Sequence, residues 1–204
     1  MTNIFFHKDD LAEGVKFQNS VAVDSETLGL RPEREHLCLV QLSSGDGTAH
    51  LVQLNRENYN APNLKRVLSD KKCQKIFHFA RFDVAVLKKY LNIDCEPVYC
   101  TKIVSKLVRT YTDKHGLKDL CKELINIDLS KQQQSSNWGA RELTEDQKLY
   151  AASDVLYLHQ IKDILDQELL KLNRRDIADQ CFSFIKTRVD LDLKGWPDID
   201  IFSH

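Results

Sequence analysis

At 204 residues, with 42% hydrophobic and 29% charged side chains, the chain has the bulk of one soluble domain, and it holds no apolar run of the roughly 18 residues a membrane span requires. A formal net charge of −1 argues against a protein that grips long polyanions through a general electrostatic footprint, because such affinity grows with the number of phosphates neutralised. The start Met1-Thr2-Asn3-Ile4-Phe5-Phe6 lacks the basic flank and long apolar stretch of a secretory leader, and six cysteines without a C-x-x-C spacing read as reduced thiols of a cytoplasmic protein.

A short strand is predicted over 4–7 and a short helix over 9–17. The stretch from Val21 to Thr27 is apolar as far as Val23 and then carries Asp24 and Glu26 two residues apart. Side chains alternate along a strand, so both carboxylates leave one face and Ser25 leaves the other. Gly29 and Pro32 mark a loop, 37–43 reads as a second strand of a meander, Gly45-Asp46-Gly47 as a hairpin turn and 49–54 as a third strand. Strands joined by such short turns run antiparallel. Beyond them a helix over 63–69, a strand over 74–79, a helix over 80–90 and a short strand near 97–99 alternate, which defines an α/β protein with a sheet of mixed direction flanked by helices.

Helices fill the remainder. Those over 101–108 and 117–124 are separated by a break at Gly116, and the polar 131–138 stretch is expected to be irregular or weakly helical. Thr144-Glu145-Asp146-Gln147 matches a capping box. The helix it opens is expected to reach about residue 173, burying Val155, Leu158, Ile161, Leu165, Leu169 and Leu172 as one stripe. A last helix over 176–186 precedes a tail with Gly195, Trp196 and Pro197, and with no repeat or linker in view residues 1–204 are read as a single domain.

Further acids have to be weighed with the first pair. Asp83 falls in the first turn of a predicted helix, where the helix dipole favours a negative charge. Tyr150 and Asp154 lie about 6 Å apart along one helix face, and the small residues between them let a ligand or another backbone approach. Taken singly, each of these has an ordinary structural explanation.

Taken in order, D-x-E at a strand end, F-D at a helix start and Y-x-x-x-D on a late helix resemble the DEDDy branch of the 3′-to-5′ exonuclease superfamily, whose fold is ribonuclease H-like. The segments that carry the likeness are Val23-Asp24-Ser25-Glu26-Thr27-Leu28-Gly29-Leu30, Leu39-Val40-Gln41-Leu42-Ser43 and His78-Phe79-Ala80-Arg81-Phe82-Asp83. Later come His115-Gly116-Leu117-Lys118-Asp119-Leu120, the Lys131 to Trp138 run and Tyr150-Ala151-Ala152-Ser153-Asp154-Val155. Within the superfamily the chain is similar to ribonuclease D and, more closely, to the short bacterial nano-RNase C type. Ser25 stands where the family usually has threonine and Asn137 where ribonuclease D-like proteins often have aspartate. About fifty residues follow Asp154, too few for the helical nucleic-acid-binding domains that follow the exonuclease domain in full-length ribonuclease D.

The resemblance implies that Asp24, Glu26, Asp83 and Asp154 are metal ligands and that Tyr150 completes a catalytic set with them. Carboxylates brought together repel by about 4 kcal/mol per pair at 4 Å and an effective dielectric near 20, so such a site needs cations. Hard oxygen ligands select Mg²⁺ or Mn²⁺, and two such ions suit in-line phosphoryl displacement. Asp24 is expected to bridge both ions, Glu26 and Asp154 to hold the ion that activates water, Asp83 to support the second, and Tyr150 to orient the nucleophile. For the substrate, Leu28 and Leu30 are expected as an apolar wedge beside the terminal base and Trp138 as a stacking surface. Lys102, Lys106 and Arg109 on one helix face, with His115, Lys118 and Arg141, are candidates for phosphate contact.

The activity implied is hydrolysis of very short RNA, down to dinucleotides, from the 3′ end to 5′-mononucleotides, by a homo-oligomer built as a ring of dimers. Two other readings stand beside it: ribonuclease D-like trimming of longer structured RNA, and a catalytically inactive RNA-binding module. No motif obviously reads a ribose 2′-hydroxyl, so short DNA stays open as a substrate.

Overall fold

A computed structural model of the chain describes residues 2–130 and 132–204, so Lys131, the first residue of the polar stretch predicted over 131–138, lies outside the described residues. Among these described residues six strands, β1 (Asn3–Lys8), β2 (Ser20–Thr27), β3 (Leu37–Ser43), β4 (Thr48–Gln53), β5 (Gln74–Phe77) and β6 (Val98–Cys100), form one sheet in the order β1-β4-β3-β2-β5-β6. β2, β3 and β4 run antiparallel to one another in sequence, as the meander predicts, whereas β1 joins β4, β5 joins β2 and β6 joins β5 in parallel. This is the mixed sheet of the ribonuclease H-like exonuclease fold. Every residue of β3 is buried, so both faces of the sheet are covered at its centre.

Among the described residues seven helices surround the sheet: α1 (Pro62–Leu68), α2 (Ala80–Leu91), α3 (Thr101–Val108), α4 (Leu117–Ile125), α5 (Glu145–Leu156), α6 (Leu158–Lys171) and α7 (Arg175–Leu193). α5 lies over β2, β3 and β4, while α6 packs on β5 and on α3 and α4. α2 packs on β3, β5 and β6 and is backed by α7. None of the helices among the described residues is long and apolar enough to cross a membrane.

Three sequence expectations are corrected here. Residues 9–17 form no helix but an irregular strap in which Asp9 and Gly14 take positive φ. Its Asp10 is used at a distance: Oδ2 and Oδ1 each accept at 2.9 Å from the amides of Asn63 and Leu64 at the start of α1, whose own cap residue, Ala61, has no side-chain oxygen to offer. The single helix expected from Thr144 to about residue 173 is two, α5 and α6, divided at Tyr157 (φ −106°, ψ −3°). The two halves pack on different parts of the fold, and a straight rod cannot follow a twisted sheet across all of it. Its apolar stripe is buried through Leu169, but Leu172 lies past the end of α6 and is exposed. The last helix runs from Arg175 to Leu193, beyond the 176–186 predicted at both ends.

Candidate active site

The capping box forms as the sequence predicts, and it sets the start of α5. Thr144 Oγ1 accepts from the Gln147 amide at 3.2 Å and Gln147 Oε1 accepts from the Thr144 amide at 2.9 Å. From that start, Asp154 falls on the turn of α5 that lies against the end of β2. Asp24, Glu26 and Asp154 each offer a carboxylate oxygen, all within 4.8 Å of one another. They form part of the wall of a cleft of about 630 Å³, together with Tyr150, Leu28, Leu30, Phe79 and Lys102.

Asp83 reaches the acids by another route. It sits in the first turn of α2, is 3% exposed, and its Oδ1 accepts from Ser25 Oγ at 2.6 Å. Alternation along β2 thus assigns one strand face to each helix: Asp24 and Glu26 turn toward α5, and Ser25 turns toward α2. The passage from β5 into α2 puts Phe79 at φ 75°, a left-handed conformation that costs an aromatic residue energy and that collects at functional sites. Its half-exposed ring lies beneath the Lys102 ammonium, 4.3 Å from the centroid.

Packed together, the acids hold their protons strongly. Burial, and then the charges of Asp24, Asp154 and Asp83, push the Glu26 carboxyl up to about 10. Burial pushes Asp24 up to about 7, against the pull of the Ser25 amide. Asp83 and Asp154 are raised well above the carboxylate range by burial and then by Asp24. Burial, followed by the charges of Asp154, Glu26 and Asp24, raises the Tyr150 phenol, so at neutral pH it keeps its proton. A pocket of oxygen donors whose negative charge is so poorly neutralised fits a hard divalent cation.

The predicted substrate residues fare unequally. Leu28 and Leu30, 44% and 89% exposed, line the cleft beside the acids. Lys118 also lines it, paired to Asp128 at 3.3 Å. Trp138 is corrected as a stacking surface: it is 2% exposed and packs against the Tyr150 ring, centroids 6.0 Å apart, so it backs the tyrosine and has no face free for a base. Arg109 is corrected as well. It is 3% exposed, with its guanidinium bonded to Ser105 Oγ, the Lys114 carbonyl at 2.7 Å and the Glu123 carboxylate. Lys106 is exposed on α3 and His115 Nδ1 is engaged with Ser105 Oγ at 2.8 Å, and neither is among the residues that line the cleft. Arg141 lines a neighbouring hollow on the far side of Trp138, with Lys8 and Arg56.

Two contributors escape sequence reasoning. Ser25 is visible as the residue between two acids, where the family usually has threonine, but its bond to Asp83 is not. Gln147 does more than cap α5, since its Nε2 donates to Ser136 Oγ at 2.8 Å and to the Asn137 carbonyl at 3.3 Å, tying the cleft wall to the helix that carries Tyr150 and Asp154.

A mixed sheet whose central strand ends in two acids, joined by a third from the helix over the same face, defines a 3′-5′ exonuclease domain. The family model of that description matches residues 4–170, and the chain belongs to this family. Among solved structures, Brucella melitensis NrnC with bound Mg²⁺ is similar to it at a TM-score of 0.95 and 50% identity, with both chains covered in full. The same Brucella protein bound to pGG gives a TM-score of 0.96 at 50% identity, again over the whole of both chains. Escherichia coli RNase D, described as an exoribonuclease involved in structured RNA processing, gives 0.74 at 25% identity over 84% of this chain and 45% of its own. Among curated proteins, the ribonuclease D of Nitrobacter hamburgensis is 30% identical over 76% of this chain and 40% of its own length. The ribonuclease D of a Jannaschia species is 29% identical, and the chain spans 41% of it. Dependence on a divalent metal goes with the family, and Mg²⁺ is the ion bound in the Brucella protein.

Proposed function

We propose that the protein is a metal-dependent 3′-to-5′ exoribonuclease that hydrolyses very short RNA, dinucleotides included, to 5′-mononucleotides. The observation that carries this reading is the meeting of Asp24, Glu26 and Asp154 within 4.8 Å at a cleft whose size suits a small ligand rather than a folded RNA. The likeness over full length to a protein solved with pGG bound points the same way.

Asp24, Glu26 and Asp154, with Asp83 in support, are the residues to hold two divalent cations, Mg²⁺ or Mn²⁺. Bound there, the ions would supply an activated water and neutralise the charge that develops on the phosphoryl oxygens and on the departing oxygen. The chain's own part is positioning. Tyr150, on the same helix face as Asp154 and lining the same cleft, is the residue to orient the attacking water. Trp138 holds that phenol from behind. Leu30, the most exposed apolar side chain of the cleft rim, lies against the terminal base, and Lys102, which lines the same cleft with its ammonium over the Phe79 ring, meets a phosphate.

A length series of labelled RNAs, with matched DNA, run with and without Mg²⁺, tests the reading. Hydrolysis is expected to be fastest on the two-residue RNA and to vanish in chelator and in Asp24→Ala. Equal rates on long and two-residue RNA would favour trimming of the ribonuclease D kind, and no hydrolysis of any substrate with metal present would favour an inactive binding module.

The proposal extends to a ring of dimers in a reducing cytoplasm. Six unpaired cysteines suit that compartment. Ile177 and Phe184 on α7 and Trp196, Ile199, Ile201 and Phe202 after it leave apolar surface of the kind that subunits bury between them.

A further inference from the structure

We propose that Ser25 is a positioning residue for metal uptake: its hydroxyl, donated to Asp83 Oδ1 at 2.6 Å, fixes that carboxylate so that the cleft takes up its second divalent cation. The inference rests on the two-ion reading above and concerns which side chain makes the second site competent.

Asp83 is held at two levels, backbone and side chain. Its backbone is secured independently of Ser25, because Arg81 in the same first turn of α2 donates from Nε and Nη2 to the Asp192 carboxylate at 2.7 and 2.8 Å. The remaining freedom is the rotation of the Asp83 side chain. That carboxylate lies within reach of the Asp24 charge and of the Asp83 and Ser25 backbone amides, and the Ser25 hydroxyl is the side-chain group bonded to it. Ser25 is 7% exposed and stands on a strand fixed by pairing with Val40 on β3, so its hydroxyl is a stationary donor. It engages one oxygen and leaves Oδ2 unoccupied by that bond.

The arrangement of the other acids gives Ser25 its leverage. Asp24, Glu26 and Asp154 converge without Asp83, which comes from the opposite side of β2. Those three are complete as a first site whether or not Ser25 is present. The contribution of Asp83 depends on how its carboxylate is turned, and Ser25 is the side chain on β2 that turns it. Groups that orient metal ligands from behind are worth about tenfold to a hundredfold in affinity.

The test compares two variants of nearly equal shape that differ in one hydroxyl, Ser25→Thr and Ser25→Val, by calorimetric titration with Mg²⁺ in the absence of RNA. Wild type is expected to bind two ions per chain. Ser25→Thr should keep both, while Ser25→Val keeps the first and weakens the second by about tenfold or more, with the Mg²⁺ needed for half-maximal hydrolysis rising in step. Thermal melts of both variants without metal report whether each is folded. Ser25→Val binding both ions as wild type does, or Thr and Val losing the second ion equally, overturns the inference alone. A wild type that binds fewer than two ions overturns the two-ion reading and the inference with it.

Discussion

Asp24 and Glu26, with ordinary values of 3.8 and 4.5, stand at about 7 and about 10 in the folded chain. Between the two sets of values the folded protein binds protons that the unfolded chain has released. Stability therefore falls as pH rises, being fully present below the unfolded values and lost through the folded ones. In chelator, the melting temperature is expected to fall from about pH 5 to pH 9, and Mg²⁺ should offset the fall by a margin that widens with pH. A metal-free protein whose melting temperature rises over that range would contradict the account. Asp24→Asn removes a charge from the cluster, so it should flatten the metal-free slope while abolishing hydrolysis. The meeting of Asp24, Glu26 and Asp154 was legible because acids at such places in the chain invite a joint explanation. Ser25 was not, since a buried serine looks the same in sequence whichever group its hydroxyl finds. Arg109 misled for a related reason: charge is written in the sequence, and a partner such as Glu123 is not.

At the scale of elements, the cleft wall depends on how the segment before α5 is pinned. Arg56 Nη2 donates to the Gly139 carbonyl and Gln53 Nε2 to that of Ala140, each at 2.9 Å. A Cβ at Gly139 would stand 2.6 Å from Leu28 Cδ2 and 2.8 Å from Arg56 Nη1, so Gly139→Ala displaces Leu28. Both contacts are far ends of flexible side chains. The expected outcome is a several-fold rise in KM for short RNA with little change in kcat or melting temperature; a fall in kcat at constant KM would count against it. Thr144→Ala should cost about 1 kcal/mol by loss of the cap, and Gln147→Ala about 2 kcal/mol because it also releases Ser136 and Asn137, as denaturant unfolding would show. Strand and helix periods were readable because they are local. The strap at 9–17 was misread because its apolar residues, Leu11 buried among them, suit a helix, while Asp10 is drawn off to cap α1. The division at Tyr157 is likewise set by what each half packs against.

For the whole molecule, the mixed sheet flanked by helices followed from the order of the predicted elements, whereas the parallel docking of β1 on β4 joins segments too far apart in the chain for any local pattern to announce. Arg109 belongs to this scale. It ties the end of α3 to the Lys114 carbonyl and to α4, so Arg109→Met should lower the melting temperature yet leave turnover by the folded enzyme unchanged. Loss of turnover at full stability would return it to the substrate site. Light scattering is expected to give a mass several times that of one 23.6 kDa chain, and Phe202→Asp to reduce it; a single-chain mass for the wild type would remove the assembly proposal.

The alternation of β2 has one more consequence. A strand whose two faces serve two helices has no spare parity, so one residue inserted between Ala22 and Asp24 would turn the acids toward α2 and hand Ser25 to α5 in a single step. No compensating substitution elsewhere restores both assignments, because each would need its own partner helix to move. Deep insertion scanning should therefore find this short segment intolerant even of alanine, while the exposed turn around Asp46 accepts added residues.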